Sequence, residues 1–161
     1  MRRTFSFPED RTIIEMTEWV EAPRERAWTA RYEPLYVAQW WMPLGYSNPI
    51  VEMEVTEGGR WRIVQRDPEG NEYAFYGTYL TVEQHVRTVH TAISEIFPEV
   101  TTHITTEFSD IPNGTQIVTT LAFAGETERR GYLNLGGAER LAEASTQYDR
   151  LLGKLAQGRP A

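Results

Sequence analysis

The chain has 161 residues and a mass of 18.6 kDa, enough for one domain that buries roughly 70% of its unfolded surface without covalent staples. There are no cysteines, which excludes disulfides, thiolate metal sites and thiol nucleophiles, and a net charge of −7 with a pI of about 5.0 argues against a nucleic-acid groove or a polybasic membrane patch. No apolar run approaches the ~20 residues of a membrane span, and Met1–Pro8 is too short and interrupted for a secretion signal, so the expectation is one soluble, cytoplasmic domain over residues 1–161 with no nucleic-acid partner and no membrane insertion.

Residues 1–10 read as a loose arm, polar apart from Phe5 and Phe7. From Thr12 to Val20 the set Ile14, Met16, Glu18 and Val20 alternates with Ile13, Glu15, Thr17 and Trp19, a strand with one well-buried side. Pro23 and Pro34 each read as the first residue of a helix, where the missing N–H costs nothing. They predict two short helices, the first presenting Ala27 and Trp28, the second Leu35, Val37, Ala38 and Trp41, with Pro43 and Gly45 stopping the second.

Asn48 to Phe123 reads almost entirely as strand. Val51, Met53 and Val55 alternate with Glu52 and Glu54, Gly58-Gly59 turns the chain into Trp61, Ile63 and Gln65, and Tyr73–Val82 is a long aromatic strand. Val86–Ser94 and Thr101–Phe108 follow, and Asn113-Gly114 is the strongest two-residue hairpin signal in the chain. The last segment is helical: Leu141, Ala144, Tyr148, Leu151, Leu152 and Leu155 keep 3.6-residue spacing, with a start near Gly137 or somewhat earlier. The order is one strand, two short helices, about six more antiparallel strands and one long helix. The class is α+β, a curved antiparallel sheet of about seven strands wrapped on the C-terminal helix.

Four segments carry a family resemblance. Glu21-Ala22-Pro23-Arg24-Glu25-Arg26-Ala27-Trp28 resembles an APxxxVW helix entry. Tyr32-Glu33-Pro34-Leu35 followed by Gln39-Trp40-Trp41-Met42-Pro43 resembles a DPxxLxxWWxP segment. Glu57-Gly58-Gly59-Arg60-Trp61 resembles a GGRF hairpin, and Gly77-Thr78-Tyr79-Leu80-Thr81-Val82 a GxYLEV strand. In this order they are similar to bacterial homologues of the heat-shock-protein-90 ATPase activator, Aha-type members of the START-like (SRPBCC) superfamily, over residues 11–156. The resemblance implies a helix-grip fold and a bacterial stress-response setting. The family's Gly-Trp pair near the last helix has no counterpart at Glu143-Ala144, where Tyr132 stands as the substitute from an upstream turn.

Chemistry-bearing residues are few. Trp40-Trp41 reads as an anchor for the short helices, one of the two bordering a cavity mouth. Gly58-Gly59 lacks the Gly-Lys-Ser/Thr and strand–loop–helix order of a phosphate loop. His85 and His90, five apart on one strand, would face opposite sides. His103 shares a face with Glu107. No three or four of these converge as a metal site requires. Thr115 and Thr119 share a face with Ile117, Leu121 and Phe123 and would put hydroxyls into an apolar space. No serine sits in a Gly-x-Ser-x-Gly elbow.

These readings favour binding of an apolar or aromatic small molecule between the sheet and the last helix, with Trp40, Trp61, Phe75, Tyr79, His90, Thr119 and Tyr148 as candidate lining residues. The small Gly77 among the strand aromatics would leave the recess. No cofactor, metal or catalytic residue is assigned, and the expected state is a monomer or weak homodimer. Two alternatives accompany this reading. The resemblance implies a chaperone ATPase-regulating module with a chaperone as partner. Other START-like proteins are cyclases, dehydratases or hydrolases, for which His90, Tyr79 and Glu107 are the internal acid–base candidates.

Overall fold

The computed structural model describes residues 2–158. In chain order the elements are β1 (Arg2–Ser6), β2 (Ile13–Val20), α1 (Arg24–Tyr32), α2 (Pro34–Trp40), β3 (Ser47–Met53), β4 (Arg60–Arg66), β5 (Glu72–Glu83), β6 (Arg87–Ser94), β7 (Thr102–Ile111), β8 (Gly114–Ala122), α3 (Glu126–Asn134) and α4 (Gly137–Ala156). The strands form one antiparallel sheet in the order β1-β2-β8-β7-β6-β5-β4-β3. Successive hairpins from β3 to β8 explain most of that order, and β2 closes onto β8. This is the α+β helix-grip arrangement, with the two short helices following β2 and the long helix last.

Three local expectations need correction. Residues 2–6 are not a loose arm but an eighth strand, paired with β2 from Arg2↔Trp19 to Ser6↔Glu15. The Arg2 guanidinium lies 4.9 Å from the Trp19 ring centre, Arg3 Nη1 donates to Thr146 Oγ1 at 3.2 Å, and Phe5 packs on the cluster of Ile14, Leu121 and Phe123. Second, the C-terminal helical segment is two helices, broken at Gly136, whose φ is +82°. A Cβ on Gly137 would meet the Tyr132 ring at 2.3 Å, so the break lets α3 fold back and lay Tyr132 over the start of α4. Third, the β7–β8 turn consists of Pro112-Asn113, one residue earlier than read, because Ile111 pairs with Gly114. Pro fixes the first turn residue and Asn113 takes the positive φ (65°) of the second.

Strand parity decides what the helices cover. Ile14, Met16, Glu18 and Val20 of β2 and Thr115, Ile117, Thr119 and Leu121 of β8 are buried, while their neighbours are partly open. The same face continues through Thr106 and Phe108, Thr88, Tyr79, and Trp61 and Ile63. Against it pack Trp28 and Tyr32 of α1, Val37 and Trp40 of α2, and Tyr148, Leu151 and Leu152 of α4. Each free edge of the sheet has its own character: β1 is five residues long and begins Arg2-Arg3, and β3 contains Pro49 at a register shift between Ser47 and Ile50.

The charged member of the inner face, Glu18, is fully buried. Its Oε1 pairs with Arg31 Nη1 at 3.1 Å, and its Oε2 accepts from Ser145 Oγ at 2.6 Å. Arg31 Nη2 donates to Thr119 Oγ1 at 3.2 Å, and the guanidinium lies 4.8 Å from the Tyr148 ring centre and 5.1 Å from that of Trp40. Burial works against the Arg31 charge, but Glu18 and the nearby phenols outweigh it and hold its pKa above the ordinary value. One ion pair thus ties β2, β8, α1, α2 and α4 together. Tyr148 adds a hydrogen bond from its hydroxyl to the Ala27 carbonyl at 2.5 Å.

Two predictions follow from this packing. Glu18→Gln or Arg31→Met alone leaves a buried partner uncompensated and should cost about 3–5 kcal/mol. The double variant Glu18→Leu/Arg31→Met should recover much of that loss, and equal losses in single and double variants by urea denaturation would refute the pairing. Tyr148→Ala and Leu152→Ala should each cost about 2–5 kcal/mol as buried large-to-small changes. Losses below ~0.5 kcal/mol for both would mean that α4 is not held against the sheet as described.

Candidate functional site

The inner face of β4, β5 and β6 carries Trp61, Phe75, Tyr79 and His90. Trp61 is 5.7 Å from His90, ring centre to ring centre, and Tyr79 is 5.5 Å from it. Trp41 stands edge-on to both Trp61 (6.0 Å) and Phe75 (5.3 Å). Trp41 lies just past the end of α2 rather than on it, with ψ of 64°. This is how two consecutive indoles find separate places: Trp40 donates its Nε1–H to the Ala30 carbonyl at 2.8 Å, and Trp41 turns toward β4 and β5. Gly77 does not create a void. A Cβ there would lie 1.8 Å from the Thr91 carbonyl oxygen and 2.7 Å from Trp61 Nε1. The glycine lets β6 approach so that Thr91 accepts the Trp61 indole N–H at 2.9 Å.

His90 keeps some accessible surface despite its place in the middle of the inner face, yet its Nδ1 is buried without a hydrogen-bond partner. Burial, with a smaller push from Arg31, takes its pKa down to about 4. Tyr79 is raised well above the ordinary phenol range by burial and by Tyr32. Both side chains are therefore neutral at pH 7 and suited to hydrogen bonding. His85 does not share the strand with His90: it occupies the β5–β6 turn with φ of 66°, edge-on to Trp28 at 6.0 Å. His103 and Glu107 lie exposed on the outer face of β7, so Glu107 is not an internal acid or base. Among the described residues no group of three or more His, Cys, Asp or Glu could hold a metal ion. No described helix is long and apolar enough to cross a membrane.

An open space lies at the α1 side of the β3–β5 end. It is a recess of about 460 Å³ whose walls are Trp28, Thr29, Tyr32, Glu33, Pro34, Met53, Val55, Val82 and Gln84. Trp28 and Tyr32, one helical turn apart on α1 with ring centres 4.5 Å apart, form a buried aromatic floor. Thr29, Glu33 and Gln84 form an exposed polar rim. The Tyr32 hydroxyl is held by Thr88 Oγ1 at 2.7 Å, and its ring meets Tyr79 edge-on at 6.4 Å. Tyr79 in turn contacts His90, so a chain of aromatic contacts runs from the recess to the inner face.

The sequence-predicted residues therefore fall into two groups. Trp61, Phe75, Tyr79 and His90 gather on β4–β6, behind the recess floor. Trp40, Thr119 and Tyr148 gather around Arg31, where the space beneath α4 is filled by side chains. The recess walls themselves were not among the predicted residues. The spacing of Trp28 and Tyr32 on one helix face was the available signal for the floor, but Met53 and Val55 at the end of β3 are far in sequence from Val82 on β5, and their meeting had none.

His90 generates a pH prediction. Its folded pKa lies below the ordinary 6.5, so its contribution to stability is fully present above that value and is lost as pH falls toward 4. The loss amounts to at most about 3 kcal/mol. In His90→Gln the stability measured by urea denaturation should fall less between about pH 7 and about pH 4.5; an unchanged slope would show that His90 is not desolvated.

The fold has many counterparts. A Rhodobacter sphaeroides crystal structure is similar over 96% of this chain and 99% of its own, with a TM-score of 0.86 and 22% identity. A Nitrosomonas europaea protein covers 93% and 99% with a TM-score of 0.85 and 21% identity. A solution structure from Arthrobacter aurescens covers 94% and 91% with a TM-score of 0.86 and 20% identity. No curated protein matches the sequence. The family model described as "Activator of Hsp90 ATPase homolog 1-like protein" matches residues 21–151. That span runs from the loop before α1 into the last turns of α4, and the chain belongs to this family.

Proposed function

We propose that the chain binds an apolar or aromatic small molecule, taken up through the recess between α1 and the β3–β5 end of the sheet. The observation that carries this reading is the recess itself. Its volume of about 460 Å³ falls within the range of small-molecule sites, and two aromatic side chains stand beneath its polar rim. Behind the floor, neutral His90 and Tyr79 supply polar groups for orienting a ligand that reaches the inner face. Trp40, Thr119 and Tyr148 act at one remove, by fixing α1 and α2 and so the position of Trp28 and Tyr32.

A second reading, contact with a chaperone ATPase, is supported by the description of the family alone. Retention of a bacterial Hsp90-type chaperone on the immobilised protein, with a change in its ATPase rate, would favour it.

The binding reading is tested with a neutral fluorescent aromatic probe, N-phenyl-1-naphthylamine. Saturable binding should raise apparent stability by about 2.7 kcal/mol at a hundred times the dissociation constant. Val82→Trp, which fills the recess from β5, should weaken binding while the unliganded protein keeps its melting temperature within a few degrees. Probe binding unaltered by Val82→Trp would place the ligand elsewhere, and no saturable binding would defeat the reading.

A further inference from the structure

The recess has a charge character that its apolar floor does not reveal. Among the residues forming its walls, Glu33 is the one acidic side chain, and no lysine or arginine contributes to them. The Tyr32 phenol, hydrogen-bonded to Thr88 and raised by burial, stays neutral. Glu33 is held in place by its backbone: its N–H closes α1 on Thr29, and its carbonyl accepts from Tyr36 and Val37 at the start of α2. Its side chain is exposed at the rim.

Glu83, next to Val82, lies with Arg87 and Glu107 on the outer face of the sheet, away from the recess. Arg87, which strand register places opposite Glu83, also faces Glu107 across β7, so two carboxylates neighbour its charge. The buried Arg31 is paired with Glu18. The whole chain carries −7. An anionic ligand would therefore enter against repulsion, with no cationic wall residue to receive its charge. An ammonium group would meet Glu33 at the rim and the rings of Trp28 and Tyr32 below, and aromatic rings attract cations that approach them within about 6 Å.

We propose that the recess selects ligands by charge and takes an organic amine: an ammonium group on an apolar body, with Glu33 as the ion partner and Trp28 and Tyr32 as the aromatic bed. This rests on the binding reading above and names the ligand class for the same site.

The test compares n-octylammonium, n-octanol and n-octanoate, which share one apolar chain and differ in head-group charge, by isothermal titration calorimetry at low ionic strength. The ammonium should bind about tenfold tighter than the alcohol, and the carboxylate most weakly. In Glu33→Gln the ammonium preference over the alcohol should shrink to about threefold or less, and added salt should narrow it in the wild type. The exposed Glu33 side chain makes this variant compatible with the fold, which the melting temperature of the free protein verifies. Equal binding of alcohol and ammonium, tighter binding of octanoate, or a preference that survives in Glu33→Gln would overturn the proposal while leaving the binding reading intact. Failure of all three compounds and of N-phenyl-1-naphthylamine to bind would overturn both.

Discussion

The Glu18–Arg31 pair is the constraint around which the other elements are arranged. A carboxylate on the buried face of a central strand is expensive unless a cation and further hydrogen bonds accompany it. Here they do: Arg31 comes from α1, Ser145 from α4 and Thr119 from β8. The aromatic faces of Trp40 and Tyr148 close over the guanidinium. Because these partners come from five separate elements, α1 cannot slide along the sheet without breaking contacts of all the others. The position of Trp28 and Tyr32, and so the depth of the recess, is set by this remote pair.

That arrangement separates two tasks that the helix-grip architecture could have assigned to one place. The space under α4 is closed by large side chains and carries stability. The space under α1 is left open where β3 and β5 end and the helices turn. A recess that borders the sheet edge can stay unfilled, because it removes contacts only from one margin of the core. The polar orphan at His90 lies between these regions, and its depressed pKa reflects the dryness of the inner face rather than a partner.

Much of the fold was legible from sequence because its signals are local. Pro23 and Pro34 mark helix starts, alternation marks β3 through β8, and the stripe from Leu141 to Leu155 marks α4. The misreadings are equally physical. Arg2–Ser6 has little apolar content, and its strand exists because β2 offers a free edge and Trp19 receives Arg2. Glu18 shares its alternating set with Ile14, Met16 and Val20, but nothing local announced that this set is the buried one or that Arg31 would reach it. Gly77 looked like a gap, whereas it permits a backbone approach, a distinction that depends on a neighbouring strand. The aromatic strand residues were singled out by type, and they gather on the inner face of β4–β6 rather than on the recess walls. The recess walls were missed because they come together only through the β3–β5 register and the tilt of α1.

An open sheet of eight strands has two margins, and each carries backbone groups that could template another chain. At one margin Pro49 removes a donor, and the shift beside it interrupts the repeat of hydrogen-bonding groups. At the other, β1 is short and opens with two adjacent arginines, so a second copy aligning there in parallel register would bring like charges together. The sheet is thus guarded against lengthening into a fibre-like ladder by two unrelated means, one steric and one electrostatic. The electrostatic guard should weaken in concentrated salt, whereas the proline's missing donor is indifferent to it.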